Sequence, residues 1–185
     1  ASRGLGDVYK RQVLDNPDFN EAAKFVCSPA LRDREDCEAL WQALSDGLLT
    51  AVSSDHCGID VAELKQAGRN DFTQIPNGSP GAGDRLHMVW TEGVCTGKLT
   101  RQKFVDVIAT QPAKINGIYP RKGTLAVGSD ADVVIFDPNY EGTVHLADNP
   151  NGVDYNLYEG RRQSGRVETV LLRGQVVVEL SLIHI

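Results

Sequence analysis

Three features of the chain predict an α/β fold. A strand–helix–strand succession fills residues 24–54, helical periodicity returns over 84–110, and a β-branched section follows Gly117. The first strand is "KFVCS" (Lys24 to Ser28), a short apolar run closed by Pro29. The helix is "DREDCEALWQALSDG". Asp33 is placed to cap it, and acidic residues fill its first turn, where they suit the helix dipole. Cys37, Leu40, Trp41 and Leu44 repeat at i, i+3, i+4, i+7, the spacing of one buried face. Gly47 is the expected stop. The second strand is "LLTAVSS". Strands joined through a helix run parallel. Ser28 and Asp55 then fall at carboxyl ends of strands, on the sheet edge that carries the active site in an α/β barrel.

Residues 68–83, "GRNDFTQIPNGSPGAG", form a long loop of the kind that is often functional. The loop lacks the G-K-[ST] ending of a phosphate loop, which argues against nucleotide binding. Helices are predicted at "DRLHMVWTEGV" and "TRQKFVDVIAT", the second capped by Thr100, and Pro112 opens the short turn "PAKING". After Gly117 a strand is expected over Asp132 to Phe136, closed by Asp137 and Pro138. A hairpin, Val167 to Leu172 and Gln175 to Val178, turns at Arg173-Gly174. "GSDAD" reads as the turn into the first of these strands, since it lacks calcium-loop spacing. The boundary between the two sections is placed near Gly117 to Gly123.

Composition narrows the function classes. With 41% hydrophobic and 24% charged residues the 185-residue chain is globular. A net charge of −6 argues against nucleic-acid binding. "GRRQSGR", with Arg161, Arg162 and Arg166, reads as a solvated loop. Cys27, Cys37, Cys57 and Cys95 form no C-x-x-C pair, so free thiols and a cytoplasmic setting are expected. No apolar run approaches the ~20 residues of a membrane span, and no secretory leader is evident. "GDVYKRQ" and "LSLIHI" resemble translated sequencing-adapter tails. Residues 1–12 and 180–185 are therefore read as non-native ends of an internal fragment.

"AVSSDHCGID" carries the densest chemistry, with Asp55, His56 and Cys57 directly after a strand. On residue type alone, Asp55 reads first as a helix cap or turn former after a strand, with a site carboxylate as the alternative. His56 reads as a packed or hydrogen-bonded group rather than a ligand, and Cys57 has no neighbouring base to make it a nucleophile.

Longer motifs decide between these. "KFVCSPALR", "SSDHCGID", "DFTQIPNGSPGAGDR", "GVCTGKLTRQKFVDVIATQPAKINGIYPRKGTLAVGSDADVVIFDP" and "VDYNLYEG" occur in the order seen in dihydropyrimidinases and D-hydantoinases, cyclic amidases of the amidohydrolase superfamily. The resemblance covers residues 13–179. It implies the carboxyl-terminal part of a (β/α)8 TIM-like barrel over 13–120, and part of a small β-sandwich over 121–179. It also implies two divalent metal ions, zinc in the usual case, held partly by a carboxylated lysine and histidines outside this chain. Asp55 matches the family's aspartate, a metal ligand that also carries the proton from the attacking water to the leaving nitrogen. Ser28 and Asn77 match positions that grip the cyclic amide through main-chain groups. The implied reaction opens the ring amide of a 5,6-dihydropyrimidine or hydantoin, a small cyclic ureide or imide, by attack of a metal-bound hydroxide. The implied assembly is a homo-oligomer, a tetramer. Alternatives are a non-catalytic binding protein of the collapsin-response-mediator type, an allantoinase or a dihydroorotase. With one metal ligand of a full set, the chain alone is expected to be inactive.

Overall fold

The computed structural model describes residues 17–180 and the backbone of Leu182–Ile183. The chain forms two compact units, each assembled from separated stretches. Of the described residues, unit 1 comprises 17–42, 53–85 and 143–161, and unit 2 comprises 43–52, 86–142, 162–180 and Leu182–Ile183. The reading of residues 1–12 as a foreign tail lies outside the described residues. Within the other suspected tail, Leu182–Ile183 pairs with its neighbouring strand.

Helix α1 (Phe19–Ala23) starts at Asp18, whose carboxylate accepts from Asn20 N. Helix α2 (Arg34–Asp46) matches its expected span. Cys37, Trp41 and Leu44 are buried and Leu40 is half-buried, so the periodic face is the inner one. Gly47 ends α2 at φ +82°, a conformation glycine adopts without penalty. Helix α3 (Arg85–Val89) and helix α4 (Arg101–Val105) occupy the two later periodic stretches, and Thr100 caps α4 by accepting from Lys103 N. Both widen into a π-helical turn, Trp90–Val94 and Asp106–Thr110. The second widening precedes Pro112 in α5 (Gln111–Ile115). Proline has no N–H for the carbonyl four residues back and its ring crowds that carbonyl, which an extra residue in the preceding turn relieves. "PAKING" is thus a continuation of helix rather than an isolated turn.

The strands predicted at 24–28 and 48–54 differ from the structure. Neither segment lies in a ladder among the described residues. Their bonds to other segments are isolated contacts rather than a ladder, among them Val52 N to Val107 O at 3.0 Å and Gly78 N to Val26 O at 3.1 Å. Apolar patterning reports burial, whereas a strand also needs a neighbour for its N–H and C=O groups.

The sheet belongs to unit 2 and runs β1 (Val133–Thr143), β2 (Arg162–Leu172), β3 (Gln175–Glu179), β4 (Leu182–Ile183) in that order. Strand β1 continues through Pro138 instead of ending there. It is an edge strand, where a missing N–H costs no ladder bond. The hairpin forms as expected, with Leu172 opposite Gln175 and both turn residues left-handed, Arg173 at φ +52° and Gly174 at +82°. "GRRQSGR" is not a loop, because Arg162 and Arg166 lie in β2. Arg162 donates twice to Glu141, at 2.9 Å each, and Arg166 stacks over Tyr140. "GSDAD" is a turn, with Asp130 and Asp132 both bound to Lys122. The unit's core is aromatic. Trp90 meets Phe104 and Phe136 edge-on at 5.2 and 4.9 Å.

All four cysteines are free thiols. Among the described residues no helix is long and apolar enough to cross a membrane.

Candidate active site in unit 1

Ser28, Asp55 and Asn77 all belong to unit 1, and all three are exposed. Short main-chain bonds connect the segments that carry them. Gly78 N donates to Val26 O at 3.1 Å, and Cys57 N donates to Ser79 O at 3.0 Å. The loop after Asn77 thus bonds on one side two residues before Ser28, and on the other two residues after Asp55. Gly78, Ser79 and Pro80 are buried, so the loop turns inward directly after the exposed Asn77. A side chain at Gly78 would meet Cys57 O at 2.8 Å and Ile59 Cδ1 at 2.7 Å, so only glycine permits this approach.

Asp55 stands at φ +47°, in the left-handed region. Aspartate tolerates this better than most residues, and a non-glycine held there is characteristic of functional turns. His56 is a hydrogen-bonded group, as expected. Its Nδ1 faces the amides of Gly81 and Ala82 at 3.3 and 3.4 Å. A ring nitrogen accepting from the backbone is not offered to a metal. Cys57 is an exposed free thiol.

Among the described residues, no three His, Cys, Asp or Glu side chains gather as a metal-holding group. Asp55, an exposed carboxylate on a left-handed turn, fits a divalent cation as one oxygen donor of a larger set.

Four residues that build this region escaped the sequence reading. Lys65 is fully buried, and its ammonium donates to Ala23 O, Gly78 O and Val26 O at 2.7, 2.8 and 3.1 Å. Tyr155 OH reaches the same Gly78 carbonyl at 3.4 Å, and Lys65 lies 5.7 Å from the centre of its ring. Asp154 accepts from the amides of Val61 and Ala62 at 2.9 and 2.7 Å. Asp84, also buried, accepts from the side-chain amides of Asn149, Asn151 and Asn156. Residue type gives no signal for Lys65, whose inward place shows only in the structure. Val61, Lys65 and Gly68 are all buried at i, i+4, i+7, so the lysine holds a core position of a helical repeat. The other three lie far from their partners in sequence, and no local pattern marks them.

The pattern of the amidohydrolase family matches residues 12–177. The chain belongs to the amidohydrolase family. This amidohydrolase chain is 49% identical over 166 residues to a D-hydantoinase of Rhizobium radiobacter, covering 90% of the chain and 36% of the relative. It is 45% identical to a D-hydantoinase of Geobacillus stearothermophilus, covering 92% and 36%. Among solved structures it resembles D-hydantoinase from Bacillus sp. AR9, with TM-score 0.90, 47% identity, and coverage of 94% of this chain and 38% of that one. Dihydropyrimidinase from Brevibacillus agri NCHU1002 gives TM-score 0.90 at 45% identity, covering 93% and 37%. The amidohydrolase chain therefore spans about 36% of the length of the curated relatives it matches. Its mixed α/β architecture is part of the D-hydantoinase fold, a TIM-type barrel enzyme. The relatives favour neither the collapsin-response-mediator reading nor an allantoinase or dihydroorotase. Membership of the family implies use of divalent metal.

Proposed function

We propose that the protein carrying this chain hydrolyses the ring amide of small cyclic ureides or imides, 5-substituted hydantoins or 5,6-dihydropyrimidines. One water is consumed. Its oxygen bonds to the ring carbonyl carbon, the carbon–nitrogen bond breaks, and the nitrogen leaves with a proton. The observation that supports this reading best is the bonding of the three segments that carry Ser28, Asn77 and Asp55 around Gly78 and Ser79.

Each residue has a role in this proposal. Asp55 would hold a divalent metal, zinc in the expected case, through one carboxylate oxygen, with a carboxylated lysine elsewhere in the protein among the other ligands. When bound, the metal pair supplies Lewis acidity that activates water and polarises the carbonyl. The other oxygen of Asp55 takes the proton of the attacking water and returns it to the leaving nitrogen. Ser28 and Asn77 hold the substrate by main-chain N–H and C=O groups, which complement the adjacent donor and acceptor of a ring amide. Residues 13–120 are assigned to the barrel and 121–179 to the sandwich, in a cytoplasmic homotetramer.

The test is kinetic, in the full-length protein. Asp55→Asn removes a proton carrier and lowers kcat/KM by about 10³-fold or more. Asn77→Ala leaves the main chain in place and costs less than about 10-fold. Equal losses would end the main-chain idea, and a wild-type protein that opens no cyclic ureide would end the functional reading.

A further inference from the structure

We propose that Lys65 is a positioning residue for substrate binding: its ammonium sets the spacing between the two main-chain segments, at Ser28 and Asn77, that hold the ring amide. This rests on the functional reading above for what those segments bind. The positioning itself rests on geometry.

A fully buried ammonium is costly unless every N–H is met. Lys65 meets its three with carbonyl oxygens, Ala23 O at 2.7 Å, Gly78 O at 2.8 Å and Val26 O at 3.1 Å, with Lys24 O at 3.5 Å beside them. These partners belong to two segments far apart in sequence, residues 23–26 and residue 78. A methionine would fill the same channel without the desolvation cost, but it could not join the two segments. Burying a cation here is an expensive way to pack and an effective way to fix distance.

The joined carbonyls flank the candidate site. Val26 is two residues before Ser28, and Gly78 directly follows Asn77. Val26 O accepts from both Lys65 Nζ and Gly78 N, so one carbonyl is held by the cation and by the opposite segment. Tyr155 OH holds Gly78 O from another direction. Beyond the clamp, Ser79 O accepts from Cys57 N, two residues past Asp55. A few residues of chain transmit displacement directly, at ~3.3–3.6 Å of reach each. Loosening the cation therefore lets the Ser28 and Asn77 segments separate. Substrate binding is lost in the ground state and the transition state alike, which raises KM and spares kcat.

The experiment uses Lys65→Gln and Lys65→Met in the full-length protein, with two readouts. Hydrogen exchange over residues 74–82 is expected to quicken at least about tenfold, with residues 101–115 unchanged, since Val26 O, the acceptor of Gly78 N, is no longer anchored by the ammonium. KM for a hydantoin or dihydropyrimidine is expected to rise at least about tenfold, with kcat within about threefold. A purely structural lysine would instead lower the amount of active enzyme, so the apparent kcat would fall at unchanged KM. That result overturns the proposal, as does failure of both variants to fold. If the wild-type protein opens no cyclic amide, the functional reading fails alone, and the exchange readout still decides whether Lys65 holds the loop.

Discussion

The two units bury different things. In unit 2 the interior is mainly aromatic and aliphatic, built on Trp90, Phe104 and Phe136 with Met88, Leu99 and Val107, and its buried polar residues among those described are the mutually bonded Thr91 and Ser164. In unit 1 the interior includes Lys65, Ser79, Asp84 and Asn156, each bonded to a distant segment. Apolar packing tolerates small shifts, because dispersion contacts are many and non-directional. A buried polar group binds one partner at one distance, and leaving it unmet costs the full desolvation penalty. Unit 1 therefore spends stability on specifying where its loops lie, and the candidate catalytic and binding residues are on those loops.

The largest effect is expected where the apolar unit is emptied. Trp90→Ala removes the ring on which Phe104 and Phe136 both pack, at a cost of about 3–5 kcal/mol. Native-state hydrogen exchange in the full-length protein should show this opening in α4 and β2, with residues 53–62 of unit 1 little changed. Equal loosening of both stretches would break the comparison, since the units would then open as one.

A smaller effect is expected in unit 1. Asp84→Ala leaves the side-chain amides of Asn149, Asn151 and Asn156 without their shared acceptor. One buried group left unmet costs about 1–3 kcal/mol, and water entering the site offsets part of the rest. Exchange should quicken over 149–158, and KM should rise if that segment helps seat Gly78 through Tyr155. Unchanged exchange there would mean that the polar interior of unit 1 does not hold its loops.

The same contrast explains what the sequence reveals. Helices α2 and α4 are legible because caps and apolar periodicity are local, as Thr100 and the Cys37–Trp41–Leu44 face illustrate. The hairpin is legible because Arg173-Gly174 must turn there. Asp55, Ser28 and Asn77 are candidates through motif resemblance, and the segments that carry them bond to one another around Gly78 and Ser79. The polar interior was not legible. Lys65 reads as a surface residue by type, and Asp84 meets partners 65–72 positions away, across intervals where no periodicity survives. The strands expected at 24–28 and 48–54 fail for a related reason, because burial is local information and a pairing partner is not.

The smallest effect expected is acid sensitivity confined to unit 2. Lys122 hydrogen-bonds Asp132, whose carboxyl is held below the usual carboxylate range by that bond and by the Arg173 amide. Glu141 is lowered in the same way by Arg162 and then Ser164. A carboxylate whose folded pKa is depressed contributes its stabilisation fully above its unfolded value of about 4, and loses it as pH falls through the folded value. Both groups are open to solvent, so the contribution is modest. Lowering the pH from 6 toward 3 should therefore loosen β1 and β2, and Asp132→Asn should flatten that dependence while leaving neutral-pH exchange in unit 1 untouched. If the variant retains the wild-type acid profile over residues 130–142, the Lys122 pair is not what ties β1 to its preceding turn. The aromatic cluster would then account for unit 2 without help from its surface charges.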